Sequence, residues 1–171
     1  MIALKFFLIA IVVLLFSCSV QKQLVSKKIE KDGLEILYGE ISREQLFFDF
    51  PNWNNNYERY TPSEDAVNTL KKFAGHSLEV EIFLGTWCID SRREVPRFFK
   101  LLDQINIIAD QNIRIWAVDR EKKLETGLAR ERDIYRVATF IFFDGKRELG
   151  RIIETPDISL EEDLLSILER L

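Results

Sequence analysis

The chain is poor in cysteine: of 171 residues only Cys18 and Cys88 carry a thiol. It has one histidine, His76, in a predicted turn. That leaves no ligand cluster for a metal, and no cofactor is expected. A metal or cluster bridged by Cys88 from two subunits is the least favoured reading. Four prolines and seven glycines leave little room for a long disordered tract. There is no excess of cations. The net charge of −4 implies no basic patch and no nucleic-acid partner. A permanent membrane span usually needs ~20 apolar residues, and the long apolar run, Phe6 to Phe16, falls short of that. What remains, 47% apolar and 30% charged residues, is the composition of one globular domain.

The N-terminus reads as an export signal. Lys5 precedes the apolar run, which suits a secretory h-region. The run ends in Leu15-Phe16-Ser17-Cys18, which resembles a bacterial lipobox apart from the bulky Phe16. The expected layout is a signal peptide over 1–17 and a lipidated Cys18 with a polar tether over 18–33. An N-terminal extension over 34–61 and a folded domain over 62–171 follow. The alternative is an uncleaved N-terminal anchor. Either way, the domain is expected to face the periplasm from a membrane of the cell envelope, held there by its lipid or anchor. A lipidated Cys18 would leave Cys88 as the one free thiol, and a lone thiol in an exported protein points to intermolecular pairing or reactivity.

The local pattern supports a reactive Cys88. A strand is predicted over 78–84, then a loop through Trp87-Cys88-Ile89-Asp90-Ser91, then a helix from Ser91 to about Ile108 with Val95, Phe98, Phe99, Leu102 and Ile105 on its apolar face. A cysteine at a helix start sits where free N–H groups and the helix dipole favour a thiolate, the nucleophile of disulfide exchange. Ser91 stands where a second thiol would complete Cys-x-x-Cys. Further strands are predicted over 112–118, over 139–143 and, after an Asp144-Gly145 hairpin turn, over 147–154. Three capping boxes, at Ser42, Thr61 and Ser159, announce helices. Asn52 to Tyr60 reads as a loop whose aromatics, Trp53, Tyr57 and Tyr60, pack it onto the domain. The expected architecture is α/β: a central mixed sheet with helices on both faces.

Over residues 62–170 the chain resembles the thioredoxin superfamily. The resemblance rests on Trp87-Cys88 after a core strand, Arg92 after the four-residue motif and Pro96 within the following helix. It extends to Val137-Ala138-Thr139-Phe140 before Asp144-Gly145 and Gly150. It implies a three-layer sandwich, a redox site of Cys88, Ser91, Trp87 and Arg92, and a substrate edge of Val137, Ala138 and Thr139. Arg120 joins the substrate-binding set because it ends a neighbouring parallel strand. The pattern departs at Ser91, at Ala138 in the cis-proline position, where a trans or locally strained peptide is expected, and at Ile82, where the family often has a buried acid. Glu81 is expected on the opposite face. Ser91 is expected to donate a hydrogen bond to the Cys88 sulfur, Asp90 to oppose its ionisation, and Arg92, Arg93 and Arg120 to favour it, Arg93 being read chiefly as a solvated charge. The implied activity is monothiol disulfide exchange with cysteine-containing exported proteins or small thiols, with a separate thiol resolving each adduct. The alternative is a non-catalytic binding module on the same scaffold.

Overall fold

Alternation in the apolar runs builds the sheet. The computed structural model describes residues 27–31 and 33–171. Its strands are β1 (Lys27–Lys31), β2 (Leu34–Ile41), β3 (Leu78–Leu84), β4 (Ile113–Ala117), β5 (Thr139–Asp144) and β6 (Arg147–Ile153), in spatial order β1-β2-β4-β3-β5-β6. Only β3 and β4 are parallel; every other pairing is antiparallel. Val80, Ile82 and Leu84 of β3, Ile115 and Ala117 of β4, and Phe140 and Phe142 of β5 face one core. Phe83, Trp116, Ile141 and Phe143 face the other. This is the period-2 division expected of strands buried on both faces.

The helices are α1 (Arg43–Asp49), α2 (Asn54–Arg59), α3 (Glu64–Leu70), α4 (Ile89–Ile105), α5 (Leu128–Glu131) and α6 (Leu160–Leu168). The larger core takes Leu46 from α1, Val67 and Leu70 from α3, Phe98 and Leu102 from α4, and Leu164 and Leu168 from α6. The opposite face is covered by the segment carrying Val118, Leu124, Ala129 of α5 and Ile134. The fold is α/β with a mixed central sheet and helices on both faces.

Four local expectations change. The tether assigned to 18–33 fails for 27–31, because Ile29 and its neighbours pair with β2 as a hairpin strand. Residues 34–61 are no appendage: β2 lies in the sheet, and Trp53 is buried in the main core. The predicted loop from Asn52 to Tyr60 is a 3-10 turn, Pro51–Trp53, followed by α2, although its aromatics do pack on the domain as expected. The boxes at Ser42 and Ser159 cap as predicted, accepting from Gln45 N and Glu162 N at 3.1 Å each. Thr61 does not: α3 starts after Ser63, whose N–H is taken by the buried Glu161 at 3.1 Å. The expected signal peptide and the lipidation expected at Cys18 fall on residues outside those described.

Arg43, Tyr57 and Asp103 tie α1, α2 and α4 together. Both Asp103 oxygens accept from Arg43, at 2.7 and 2.5 Å, and Tyr57 donates to one of them at 2.7 Å. Burial alone would push the Asp103 carboxyl up. The hydrogen bonds from Arg43 and Tyr57 outweigh it and hold the group below the usual carboxylate range. A carboxyl lowered by folding stabilises above its unfolded value and loses that contribution as pH falls through the folded value. Wild type should therefore exceed Asp103→Asn in Tm at neutral pH, with the gap closing below about pH 4. A gap that stays constant from pH 7 to pH 3 would show that the ionised carboxylate contributes nothing.

Candidate active site

Cys88 lies where β3 hands over to α4. Cys88 N donates to Gly85 O at 2.9 Å, closing a turn, and Arg92 N donates to Cys88 O at 3.1 Å, opening the helix. Cys88 is the N-cap residue, with extended backbone (φ −90°, ψ 133°) and a half-buried side chain. Its thiol donates to Val137 O at 3.0 Å. The sulfur therefore meets the Val137-Ala138-Thr139 segment across 49 positions of sequence. Val137, Ala138 and Thr139 are all buried.

The peptide between Val137 and Ala138 is cis, which corrects the trans expectation. Contacts on both sides define the bend without a proline ring. Thr139 Oγ1 donates to Arg136 O at 2.8 Å, Glu154 N donates to Ala138 O at 2.6 Å, and Val137 O receives the thiol.

Ser91 also differs from expectation. Its hydroxyl is fully buried and accepts from Gly85 N at 3.1 Å; among the described residues it makes no bond to the Cys88 sulfur. A serine three residues into the helix meets the otherwise orphan N–H of Gly85, and a buried donor left unpaired is costly. Asp90 does not stand alone beside the sulfur, because Arg93 donates to it at 2.8 Å and also bonds Glu94. Arg93 is therefore fixed by two carboxylates and not simply solvated. Arg92 is exposed, and its backbone carbonyl accepts from Asn56 of α2 at 3.0 Å. Glu81 does face away from Ile82: it is buried in a two-bond pair with Arg132, at 2.6 and 3.0 Å.

Trp87 is held by its indole N–H, which donates to Val118 O at 3.2 Å. Arg120 and Lys122 each place their charge 5.5 Å from the ring centroid, a distance at which a cation is attracted by the ring face. Arg120 thus reaches the site through Trp87, while Lys122 was missed by sequence reasoning. The turn carrying both is organised by Asp119. One of its oxygens accepts from Lys123 N and the other from Lys31, both at 2.8 Å. Burial would raise the Asp119 carboxyl, yet the bonds from Lys31 and the Lys123 backbone hold it low. Lys31 belongs to β1, the strand the sequence reading missed. Thr86 adds a second tie, accepting from Leu37 N of β2 at 3.3 Å.

Gly85 is required by close approach. A Cβ there would stand 2.6 Å from the Trp87 ring. Gly85→Ala should push the indole off Val118 O, shift tryptophan emission and cost about 1–3 kcal/mol by overpacking. Unchanged emission and stability would mean that the loop moves aside freely.

No family model and no curated protein matches the chain. Solved structures do. A Pseudomonas aeruginosa protein of unknown function superposes with a TM-score of 0.53 at 12% identity, over 76% of this chain and 96% of its own. Mitochondrial thioredoxin 3 of Saccharomyces cerevisiae aligns at 0.39 and 19% identity, over 68% and 99%. Thioredoxin O1 of Arabidopsis thaliana aligns at 0.40 and 23%, over 66% and 95%. At 12% identity the likeness to the Pseudomonas protein concerns the fold alone. The β3-α4-β4 crossover and the β5-β6-α6 finish, with β3 between β4 and β5, make this a thioredoxin-like fold.

Proposed function

We propose that the chain is a monothiol thiol–disulfide exchange protein, anchored through a lipidated Cys18 and working in the bacterial cell envelope. The observation that carries this reading is the Cys88–Val137 contact, which sets a half-exposed N-cap thiol against the bend at Ala138. Cys88, as thiolate, attacks one sulfur of a partner disulfide. A Cys88–partner disulfide forms, the partner's own S–S bond breaks, and its other sulfur leaves as a thiolate that takes up the proton. A separate thiol then attacks the adduct, re-forms the Cys88 thiol and carries away the oxidised partner sulfur. Ser91 supplies no second thiol. Its part is to hold Gly85 and hence the loop. Substrates are cysteine-containing exported proteins or small thiols.

The test is adduct capture from cells expressing the full chain, by acid quench and non-reducing separation. Disulfide-linked adducts are expected with wild type and absent with Cys88→Ser. If both give the same pattern, the thiol does no exchange and the scaffold serves only to bind. Anchoring is tested separately: Cys18→Ala should move the protein out of the membrane fraction or leave an unprocessed precursor, and unchanged mass and fractionation would refute the lipid.

A further inference from the structure

Charge is unevenly spread on this acidic chain. The −4 total argued against a basic patch, yet five cations, Arg92, Arg120, Lys122, Lys123 and Arg130, lie around or beside the thiol loop. Among the described residues, none of the five has a carboxylate within salt-bridge range. Of the nearby acids, Asp90 is paired with Arg93 and Glu121 shares Lys31 with Asp119, while Asp133 accepts only from the neutral Tyr135 hydroxyl and keeps its charge, so the cations outnumber the acids without standing alone. A cavity of about 390 Å³ adjoins the Trp87 platform, sharing Lys122 with it. Lys123 and Arg130 line its walls together with the carboxylates of Glu121 and Asp133, and Leu124, Ile134 and Tyr135 give it apolar surface. Tyr135, two residues before Val137, is 77% exposed, and Ile89, next to Cys88, is 72% exposed.

We infer that the partner disulfide is carried by a polypeptide segment with an apolar residue and carboxylates beside its cysteine. This rests on the exchange reading above and specifies its substrate. Unpaired cations around a partly buried site attract and orient anions. The apolar cavity wall and the two exposed apolar side chains require a partner with apolar bulk, which a small carboxylate-bearing thiol such as glutathione lacks. A polypeptide supplies both.

The experiment uses the full chain and two peptides that differ only in having Glu or Lys around a Leu-Cys pair, each activated as a 2-pyridyl disulfide. Cys88 attacks the peptide sulfur, the peptide–Cys88 disulfide forms, and pyridine-2-thione leaves with the proton and is read by absorbance. The rate of Cys88→Ser, which retains Cys18, is subtracted. The Glu peptide should react at least about tenfold faster at low ionic strength, with the gap closing as salt screens the charges. The double variant K122E/R130E should reverse the order. Equal rates, or faster reaction of the Lys peptide, overturn the charge assignment while leaving exchange intact. Glutathione activated in the same way should lag the Glu peptide about tenfold; parity would assign the cations to a small anionic thiol and overturn the polypeptide partner. If Cys88 fails to react even with neutral dipyridyl disulfide, the exchange reading falls. The surface is then judged on Cys88→Ser by tryptophan emission during titration with the unactivated peptides: tenfold tighter binding of the Glu peptide sustains the acidic partner, and equal binding removes it.

Discussion

Trp53→Ala should destabilise the whole domain by about 3–5 kcal/mol, the range for truncating a buried aromatic. Trp53 is 1% exposed, sits in the main core and packs beside Phe50 with ring centroids 6.4 Å apart. No small side chain can fill the space an indole leaves, and a close-packed interior relaxes only in part. For a domain of this size the loss corresponds to a fall in Tm of roughly 6–20 °C. The measurement is urea unfolding of both proteins, read by far-UV circular dichroism, with the midpoint lowered and the slope unchanged. The result bears on organisation as well as stability. If residues 34–61 were an appendage to a domain starting at 62, the variant would lose a minor separate transition and leave the main one in place. A single transition shifted as a whole identifies β2, α1 and α2 as part of one cooperative unit.

The central elements were legible because their signals are local. The short apolar runs in Leu78–Leu84 and Thr139–Phe143 mark both strands, and the structure places both strands there. The apolar spacing from Val95 to Ile105 fixes the buried side of α4. Strand β1 was not legible: Lys27–Lys31 is polar, mostly exposed and on the sheet edge, where pairing needs no apolar face. Its role appears only in three dimensions, through Lys31 on Asp119 and so on the turn bearing Arg120 and Lys122. Asp119 and Arg120 were visible as a strand end, but nothing local ties them to Trp87.

The site divides in the same way. The position of Cys88 at a helix start follows from strand, loop and helix periodicity alone. Its meeting with Val137 required the resemblance, since no spacing rule links positions 49 apart. The direction of Ser91 was misjudged because sequence separation suggests a helical-turn contact with Cys88. The competing partner, Gly85 N, is an unpaired backbone donor that only the folded loop presents.

Ser91→Cys should convert a one-thiol site into a self-resolving one. On the exchange reading proposed above, an adduct on Cys88 of the wild type waits for a thiol from solution. In the variant the attacking sulfur is held in the first turn of α4, three residues from Cys88, and making the step intramolecular should shorten adduct lifetime by roughly a hundredfold or more. There is a cost. The serine oxygen accepts from the buried Gly85 N–H, and a thiol is the weaker acceptor, so the reduced variant should lose about 1–3 kcal/mol of stability. Oxidation should recover part of that loss by linking Cys88 to position 91. The readout is a mixed disulfide loaded on Cys88 with a 2-pyridyl disulfide peptide and followed by mass, with no added thiol. Wild type should keep the peptide for the length of the experiment. The variant should release it as free thiol and become two mass units lighter than its reduced form. If the variant keeps its peptide while the new thiol remains reduced and alkylatable, the side chain at 91 is locked toward Gly85 and cannot reach the sulfur. The wild-type serine would then be a structural element that this fold does not exchange for a resolving group.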